Sequence, residues 1–305
     1  MNIIPLNGNI IEPNTVAAIG FFDGVHLAHE TLIKTMKAYA KTHDMKTALI
    51  TFDVHPKAVL FDLTYHYITP LEKKLSLIGT HDIDTLYLIE FDKAIASMKP
   101  DAFINRYLAN LAVIVCGFDF RFGHRGQGTV GTLKNHPEIK TIIVDELTHD
   151  GYKIGSTHIR DLIMAGRVDE VKETLGRHHT VAGRVVEGAK KGREIGYPTA
   201  NIVTGDYLIP KQGVYASFTR YHDSWYPSMS TVGHNPTLNK RADLSVESYL
   251  FDFDKTIYGE TIEIAFVERL RNEIAFDSPQ ALIDQIKRDE RQTATLLKNK
   301  DFPLH

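Results

Sequence analysis

The sequence predicts an α/β protein of two modules: a parallel sheet with helices on both faces, then a small β-barrel carrying a C-terminal helix. Three observations predict it. The chain has 305 residues, more than one compact core usually holds, and a prior of ~150 residues per domain points to two. Up to about residue 178, short apolar runs alternate with stretches of helical periodicity. Beyond that point β-type runs follow one another closely, and helical periodicity returns only near the end.

Taken in order, the runs at 16–22, 48–52, 86–89, 112–116 and 142–144 read as buried strands. Between them Leu32, Ile33, Met36, Tyr39 and Ala40 recur at helical spacing, as do Phe103, Ile104, Tyr107, Leu108 and Leu111. Strand-helix alternation gives a Rossmann-like parallel sheet, assigned to residues 1–179. After Leu175-Gly176-Arg177 come β-type runs at 180–187, 213–220, 228–232, 245–251 and 261–267, with turn residues between them. An amphipathic helix at 279–297 carries Leu282, Ile283, Ile286 and Leu296. Residues 180–305 therefore read as a small β-barrel with a C-terminal helix, closure being the way such strands lose their exposed edges.

Composition narrows the partners. Hydrophobic residues at 43% and charged residues at 24% are ordinary globular usage, so the chain folds rather than remaining disordered. A net charge of -3, from 35 basic and 38 acidic side chains, gives no bulk attraction for nucleic acid or anionic membrane. The expected partners are small molecules, and any phosphate binding must be local. The single cysteine, Cys116, sits in an apolar run, which excludes an intrachain disulfide and fits core packing. Residues 1–5 lack a basic region followed by an apolar core, and no run reaches the ~18 apolar residues of a membrane span. The expected compartment is the cytoplasm.

Directly after the first strand stands Gly20-Phe21-Phe22-Asp23-Gly24-Val25-His26-Leu27-Ala28-His29, leading into the first helix. An open α/β sheet binds its ligands there. Gly20 and Gly24 permit a tight turn and close backbone approach, and the unpaired N–H groups of a helix start attract anions. His26 and His29, three apart, are placed to share a helix face and donate to phosphoryl oxygens. A plainer account makes Asp23 the helix cap and both imidazoles surface groups. A metal site from His26, His29 and His55 lacks a clear fourth ligand spacing. Thr51-Phe52-Asp53-Val54-His55-Pro56 and Gly117-Phe118-Asp119-Phe120-Arg121-Phe122-Gly123 end two further strands on the same rim. Gly155-Ser156-Thr157-His158-Ile159-Arg160 opens another helix with two hydroxyls and a guanidinium, a setting suited to a triphosphate tail.

The β-rich part begins with Gly183-Arg184-Val185-Val186, then Gly188-Ala189-Lys190-Lys191-Gly192-Arg193 and Gly196-Tyr197-Pro198-Thr199-Ala200-Asn201. Small residues with interleaved cations can wrap nucleotide phosphates. The Thr199 hydroxyl and Asn201 carbonyl are the hard oxygen ligands that Mg²⁺ prefers. On composition alone, a solvated turn is the better account of Lys190, Lys191 and Arg193.

In this order, the segments resemble the bacterial bifunctional riboflavin kinase/FMN adenylyltransferase family, also called FAD synthetase. Residues 20–29 are similar to its G-x-F-D-G-x-H-x-G-H, with Ala28 in place of a glycine. Residues 156–160 are similar to its S-T-x-I-R, preceded by Gly155 where serine is common. Residues 196–201 carry its P-T-A-N, followed by Gly213-Val214-Tyr215, Val232-Gly233-His234-Asn235-Pro236-Thr237 and Val246-Glu247-Ser248-Tyr249-Leu250-Phe251-Asp252.

The resemblance implies a nucleotidyltransferase domain followed by a riboflavin-kinase-type barrel. The two would phosphorylate riboflavin to FMN and adenylylate FMN to FAD, with ATP as co-substrate and Mg²⁺ as cofactor. It implies catalytic roles for His26, His29, Arg160 and Glu247, the last as base for the ribityl hydroxyl. Substrate binding falls to Gly20, Phe22, Asp23, Gly24, Asp119, Ser156 and Thr157 in the first module. In the second it falls to Gly183, Lys190, Arg193, Gly196, Thr199, Asn201 and Asn235, with Thr199 and Asn201 on the metal. Two alternatives stay open here: one effective activity on the same architecture, or a non-catalytic flavin or nucleotide sensor.

Overall fold

A computed structural model describes every residue except 189–190, 235–243, 299, 301 and 304–305. The chain forms two compact units, Met1–Ser156 and Thr157–His305.

In the first unit the strands are β1 (Asn2–Pro5), β2 (Thr15–Ile19), β3 (Lys46–Phe52), β4 (Thr85–Ile89), β5 (Val113–Gly117) and β6 (Lys140–Val144). They form one all-parallel sheet in the order β1-β4-β3-β2-β5-β6. Helices α1 (Leu27–His43) and α3 (Leu71–Gly79) cover one face, α4 (Pro100–Tyr107) covers the other, and α2 (Pro56–Phe61) follows β3. Side chains divide with the pleat. Val16 and Ala18 of β2 join Ile33 and Met36 of α1, while Ala17 and Ile19 join Phe103 and Ile104 of α4. Cys116 is fully buried in the second of these clusters, and burial pushes its thiol up to about 11, which suits packing and not reactivity.

The strand order fixes the ligand crevice. From β2 the chain moves through β3 to β4 on one side, then returns to place β5 and β6 on the other. Crevices in open sheets form at the carboxyl ends of the strands flanking such a reversal, here β2 and β5. The segments at 20–29 and 117–123 leave those two strands.

The second unit holds α5 (Ser156–Ala165), which starts one residue before it, α6 (Val168–Leu175) and a closed antiparallel barrel. The barrel strands are β7 (His179–Val186), β8 (Ala200–Val203), β9 (Gly213–Tyr221), β10 (Ser224–His234), β11 (Leu244–Leu250) and β12 (Thr261–Arg271). Their order is β7-β8-β11-β10-β9-β12, closed by pairing of β7 with β12. Val168 of α6 joins the apolar cluster of Val181, Tyr215, Val232, Val246 and Phe266, which places α6 with the barrel. On the same pleat faces as Tyr215, Val232 and Val246, the buried hydroxyls of Ser217, Thr219, Ser228, Ser230 and Ser248 satisfy one another at 2.7–3.0 Å. Outside the barrel, α7 (Pro279–Leu297) packs Leu297 on Ala216, Phe218, Ala265 and Val267. The buried Asp289 carboxylate of α7 accepts from Arg271 Nη2 at 2.7 Å and Nε at 2.9 Å.

Two strands of the parallel sheet and the barrel were absent from the sequence reading, besides four two-residue strands in the loops of the first unit. β1 is a short, mostly exposed edge strand whose apolar residues show no alternation. β8 lies inside the glycine-rich stretch read as loop, because Ala200 and Asn201 already pair with Ser248 and Glu247 of β11.

Candidate active sites

The turn after β2 is strained and held from several directions. Phe22 (φ 58) and the β-branched Val25 (φ 42) both adopt left-handed backbone, costing of order 1–3 kcal/mol each. Thr69 fixes the turn. Its N–H donates to Asp23 Oδ1 at 3.1 Å, and its hydroxyl accepts from Gly24 N–H at 2.9 Å. Ser156 Oγ donates to the Asp23 carbonyl at 2.9 Å. Asp23 therefore braces the loop and does not cap the helix. The ring of Phe22 is fully buried against His29, so only its backbone can face a ligand.

His26 caps α1 with an imidazole. His29 N–H donates to His26 Nδ1, and His26 N–H donates to His29 Nδ1, each at 3.4 Å. The rings stack with centroids 3.6 Å apart and planes at 17°. Since both Nδ1 atoms accept, each neutral ring carries its proton on Nε2 and is a donor there. The arrangement pre-orients two N–H donors at the positive end of a 17-residue helix. Among the described residues no group of three or more His, Cys, Asp or Glu is placed to hold a metal.

Asp119 and Phe118 are exposed beyond β5. The Lys153 ammonium pairs with Asp119 and lies 4.5 Å from the Phe118 ring centroid. Phe21, His55, Tyr65 and Tyr67 form an aromatic rim after β2 and β3, with His55 and Tyr65 stacked at 4.1 Å. Sequence reasoning missed Thr69, Tyr65, Tyr67 and Lys153, which lie outside the motifs. Thr157 and Arg160 stand on the first turns of α5, exposed and half-buried respectively.

In the second unit the site lies on the outer wall of the barrel. Asn201 of β8 and Glu247 of β11 are direct cross-strand partners, with Thr231 of β10 next in the row. Thr199 Oγ1 donates to Glu247 Oε2 at 3.0 Å. Thr199, Asn201 and Glu247 are thus brought together, and Glu247, though outward-facing, is half-covered by the loop before β8. Glycines let that loop close. A Cβ on Gly188 would stand 2.6 Å from Asn201 Nδ2, and Gly196 takes a φ of 88°. Gly183 serves the barrel itself, since a Cβ there would collide with the Val203 carbonyl.

An open cleft adjoins Thr199. Arg193, Lys255 and Tyr258 supply its polar wall, and Leu250, Phe253 and Ile257 its apolar one. Lys255 and Tyr258 were not anticipated, as the stretch at 253–260 carries no motif and read only as turn or edge residues between strands. Lys190 and Asn235 lie outside the described residues. Thr199 spends its proton on Glu247, which leaves oxygen lone pairs for a cation, and Asn201 adds an amide oxygen. This donor set fits Mg²⁺ held jointly with substrate phosphates rather than by an all-protein cage.

Among the described residues no helix is long and apolar enough to cross a membrane. Residues 9–158 match the FAD synthetase family and residues 175–297 the riboflavin kinase family. A bifunctional riboflavin kinase/FMN adenylyltransferase of Listeria monocytogenes is 40% identical over 287 residues, spanning 92% of this chain and 91% of its own. The protein of that name from Bacillus subtilis is 36% identical over 301 residues, spanning 94% of each. A Streptococcus pneumoniae crystal structure described as a macrolide-efflux protein has a TM-score of 0.88 at 31% identity, covering 99% of this chain and 100% of the other. With both parts matched in order and relatives aligned along nearly their full lengths, the chain belongs to the bifunctional riboflavin kinase/FMN adenylyltransferase family.

Proposed function

We propose that the protein carries out two successive ATP-dependent transfers: riboflavin and ATP give FMN and ADP, then FMN and ATP give FAD and pyrophosphate. The observation that carries this reading is the presence in one chain of both matched parts, FAD synthetase and riboflavin kinase. We assign the adenylyltransferase to residues 1–179, the kinase to residues 180–305, and the whole to the cytoplasm.

In the first reaction the ribityl hydroxyl attacks the γ-phosphorus while its proton passes to Glu247, and ADP leaves. Thr199, by donating to Glu247, orients the carboxylate on the strand that pairs Glu247 with Asn201. Thr199 and Asn201 would hold Mg²⁺, which when bound draws charge from the phosphates. Arg193 and Lys255 line the cleft where the phosphate chain enters, and Leu250, Phe253 and Ile257 offer the apolar surface a flat ring requires.

In the second reaction an oxygen of the FMN phosphate attacks the α-phosphorus, and the bond to pyrophosphate breaks. The nucleophile is already ionised, so no base is needed, and catalysis rests on position and charge. His26 and His29 donate from Nε2 to the reacting phosphates. Gly20, Asp23 and Gly24 shape the receiving turn, Ser156, Thr157 and Arg160 serve the pyrophosphate, and Asp119 serves the nucleotide or flavin side. Departure of Lys153 from Asp119 would free that carboxylate for substrate.

The test is incubation of the pure protein with riboflavin, ATP and Mg²⁺, followed by chromatography of the flavins. Sequential appearance of FMN and FAD is expected. FMN alone would leave only the kinase, and bound but unconverted riboflavin would identify a sensor.

A further inference from the structure

Lys74 belongs to none of the motifs, yet it is 1% exposed on the core-facing side of α3 beside Leu77 and Ile78. A lysine is rarely buried so completely unless its charge is satisfied. Its ammonium has three donors and meets three acceptors: the Phe52 carbonyl at 2.8 Å, the Phe21 carbonyl at 3.1 Å and Thr51 Oγ1 at 3.3 Å. Thr51 in turn donates to the Phe21 carbonyl at 3.0 Å. The ammonium also lies 4.2 Å from the centroid of the Phe21 ring.

These contacts begin where the sheet stops. The β2–β3 register ends at Ile19↔Ile50, and one more bond runs from Gly20 N–H to the Ile50 carbonyl at 3.1 Å. Past that point the two chains diverge into the phosphate turn and the segment at 51–56. Lys74 replaces the missing ladder by gripping both chain ends at once. The residue after Phe21 is already in left-handed backbone, so the strained turn is anchored at its first step by this side chain.

We propose that Lys74 is a positioning residue for adenylyl transfer, whose ammonium clamps the ends of β2 and β3 and so holds the 20–25 turn in its phosphate-receiving shape. This rests on the adenylyltransferase reading above. The charged groups facing the ammonium are Asp23 from the turn after β2 and Asp53 from the segment after β3, both of which favour its protonation. His55 packs edge-on against the Phe21 ring at 4.7 Å. Burial outweighs the two carboxylates and pushes Lys74 down from 10.5 to about 8. Near neutrality the clamp is charged; above pH 8 it loses one donor and faces three acceptors with two. Stability moves the other way. The folded pKa lies below the unfolded one, so between pH 8 and 10.5 the unfolded chain binds more protons and this group's contribution to stability rises with pH. A purely structural lysine would not lower activity over that interval.

The test measures FAD formation from FMN and FMN formation from riboflavin, on the full chain, against pH, alongside thermal unfolding. Lys74→Met is expected to lower kcat for FAD about 100-fold at pH 7 with a smaller change in KM, while FMN formation is unchanged. Wild-type FAD formation should fall above about pH 8, and this limb should be missing from Lys74→Met and from the kinase reaction. Should Lys74→Met not fold, Thr51→Val removes one acceptor without touching the charge and should slow FAD formation by roughly 3- to 10-fold. FAD formation within threefold of wild type in Lys74→Met, or in Thr51→Val where Lys74→Met does not fold, overturns the proposal. So does an alkaline limb that persists without the lysine, or equal loss of both activities. Absence of FAD from the wild type at every pH would overturn the adenylyltransferase reading, and the clamp with it.

Discussion

Replacing Glu247 by glutamine changes one atom's chemistry and almost no volume, so its consequences can be worked from the contacts. The amide oxygen can still accept from Thr199 Oγ1, now 3.0 Å from the carboxylate. The bond changes from charge-assisted to neutral, which costs about 1 kcal/mol of stability. In a unit of this size that lowers the unfolding midpoint by roughly 2–4 °C. The chemical loss is larger. An amide cannot take the proton of the ribityl hydroxyl, and losing a positioned base costs typically 10²- to 10⁴-fold, or about 3–5 kcal/mol of barrier. Chromatography of the products from riboflavin, ATP and Mg²⁺ measures the kinase loss, and supplying FMN directly measures adenylyl transfer in the same preparation. FMN formation within threefold of wild type would refute the assignment of Glu247 as base. A parallel fall in FAD made from added FMN would refute the separation of the two sites.

His29→Ala should cut FAD formation about 10²- to 10³-fold by removing one phosphate donor, spare FMN formation, and cost ~1 kcal/mol of stability from the lost bond between His26 N–H and His29 Nδ1. Flavin chromatography and thermal unfolding report the two effects separately. Ala28, in the first turn of α1, needs no glycine geometry, so Ala28→Gly should not lower FAD formation and should destabilise by ~0.5–1 kcal/mol; an assay of initial rates and a melt check this. Burial holds His178 and His179 down to about 4 from 6.5. Their neutral forms therefore support the fold fully above pH 6.5, and that support is lost as pH falls from 6.5 towards 4. Unfolding midpoints of the barrel unit across this interval should fall with pH, less steeply in His178→Asn.

The large divisions of the molecule were legible because they follow from periodicity. Runs at 48–52, 86–89 and 142–144 fall inside observed strands, and the final helix was bounded at 279 and 297 as found. Central strands of a parallel sheet are apolar on both faces, and a long amphipathic helix repeats its signal over many turns. β1 and β8 give neither kind of signal: one is an exposed edge, the other four residues that begin inside a turn motif. The motif residues Thr199, Asn201 and Glu247 could be named but not joined, since their meeting depends on the β8–β11 register. Asp23 was offered as a helix cap, whereas the histidines cap each other and free it to hold Thr69, a pairing of residues 46 positions apart. Lys74 was invisible for a related reason. It lies outside every motif, and although its spacing from Leu71, Leu77 and Ile78 puts it on the apolar face of α3, only the three-dimensional end of the β2–β3 ladder shows what it holds.

The last helix does more than shield apolar strands. Its Asp289 neutralises Arg271 at the end of β12, and its Glu290 accepts from the Tyr197 hydroxyl at 3.4 Å, beside the threonine that orients Glu247. Between β12 and this helix runs a mostly exposed stretch at 272–278. A single proteolytic cut there could detach the brace and silence phosphorylation while every signature residue stayed in place. A survey that counts motifs would still score such a fragment as competent.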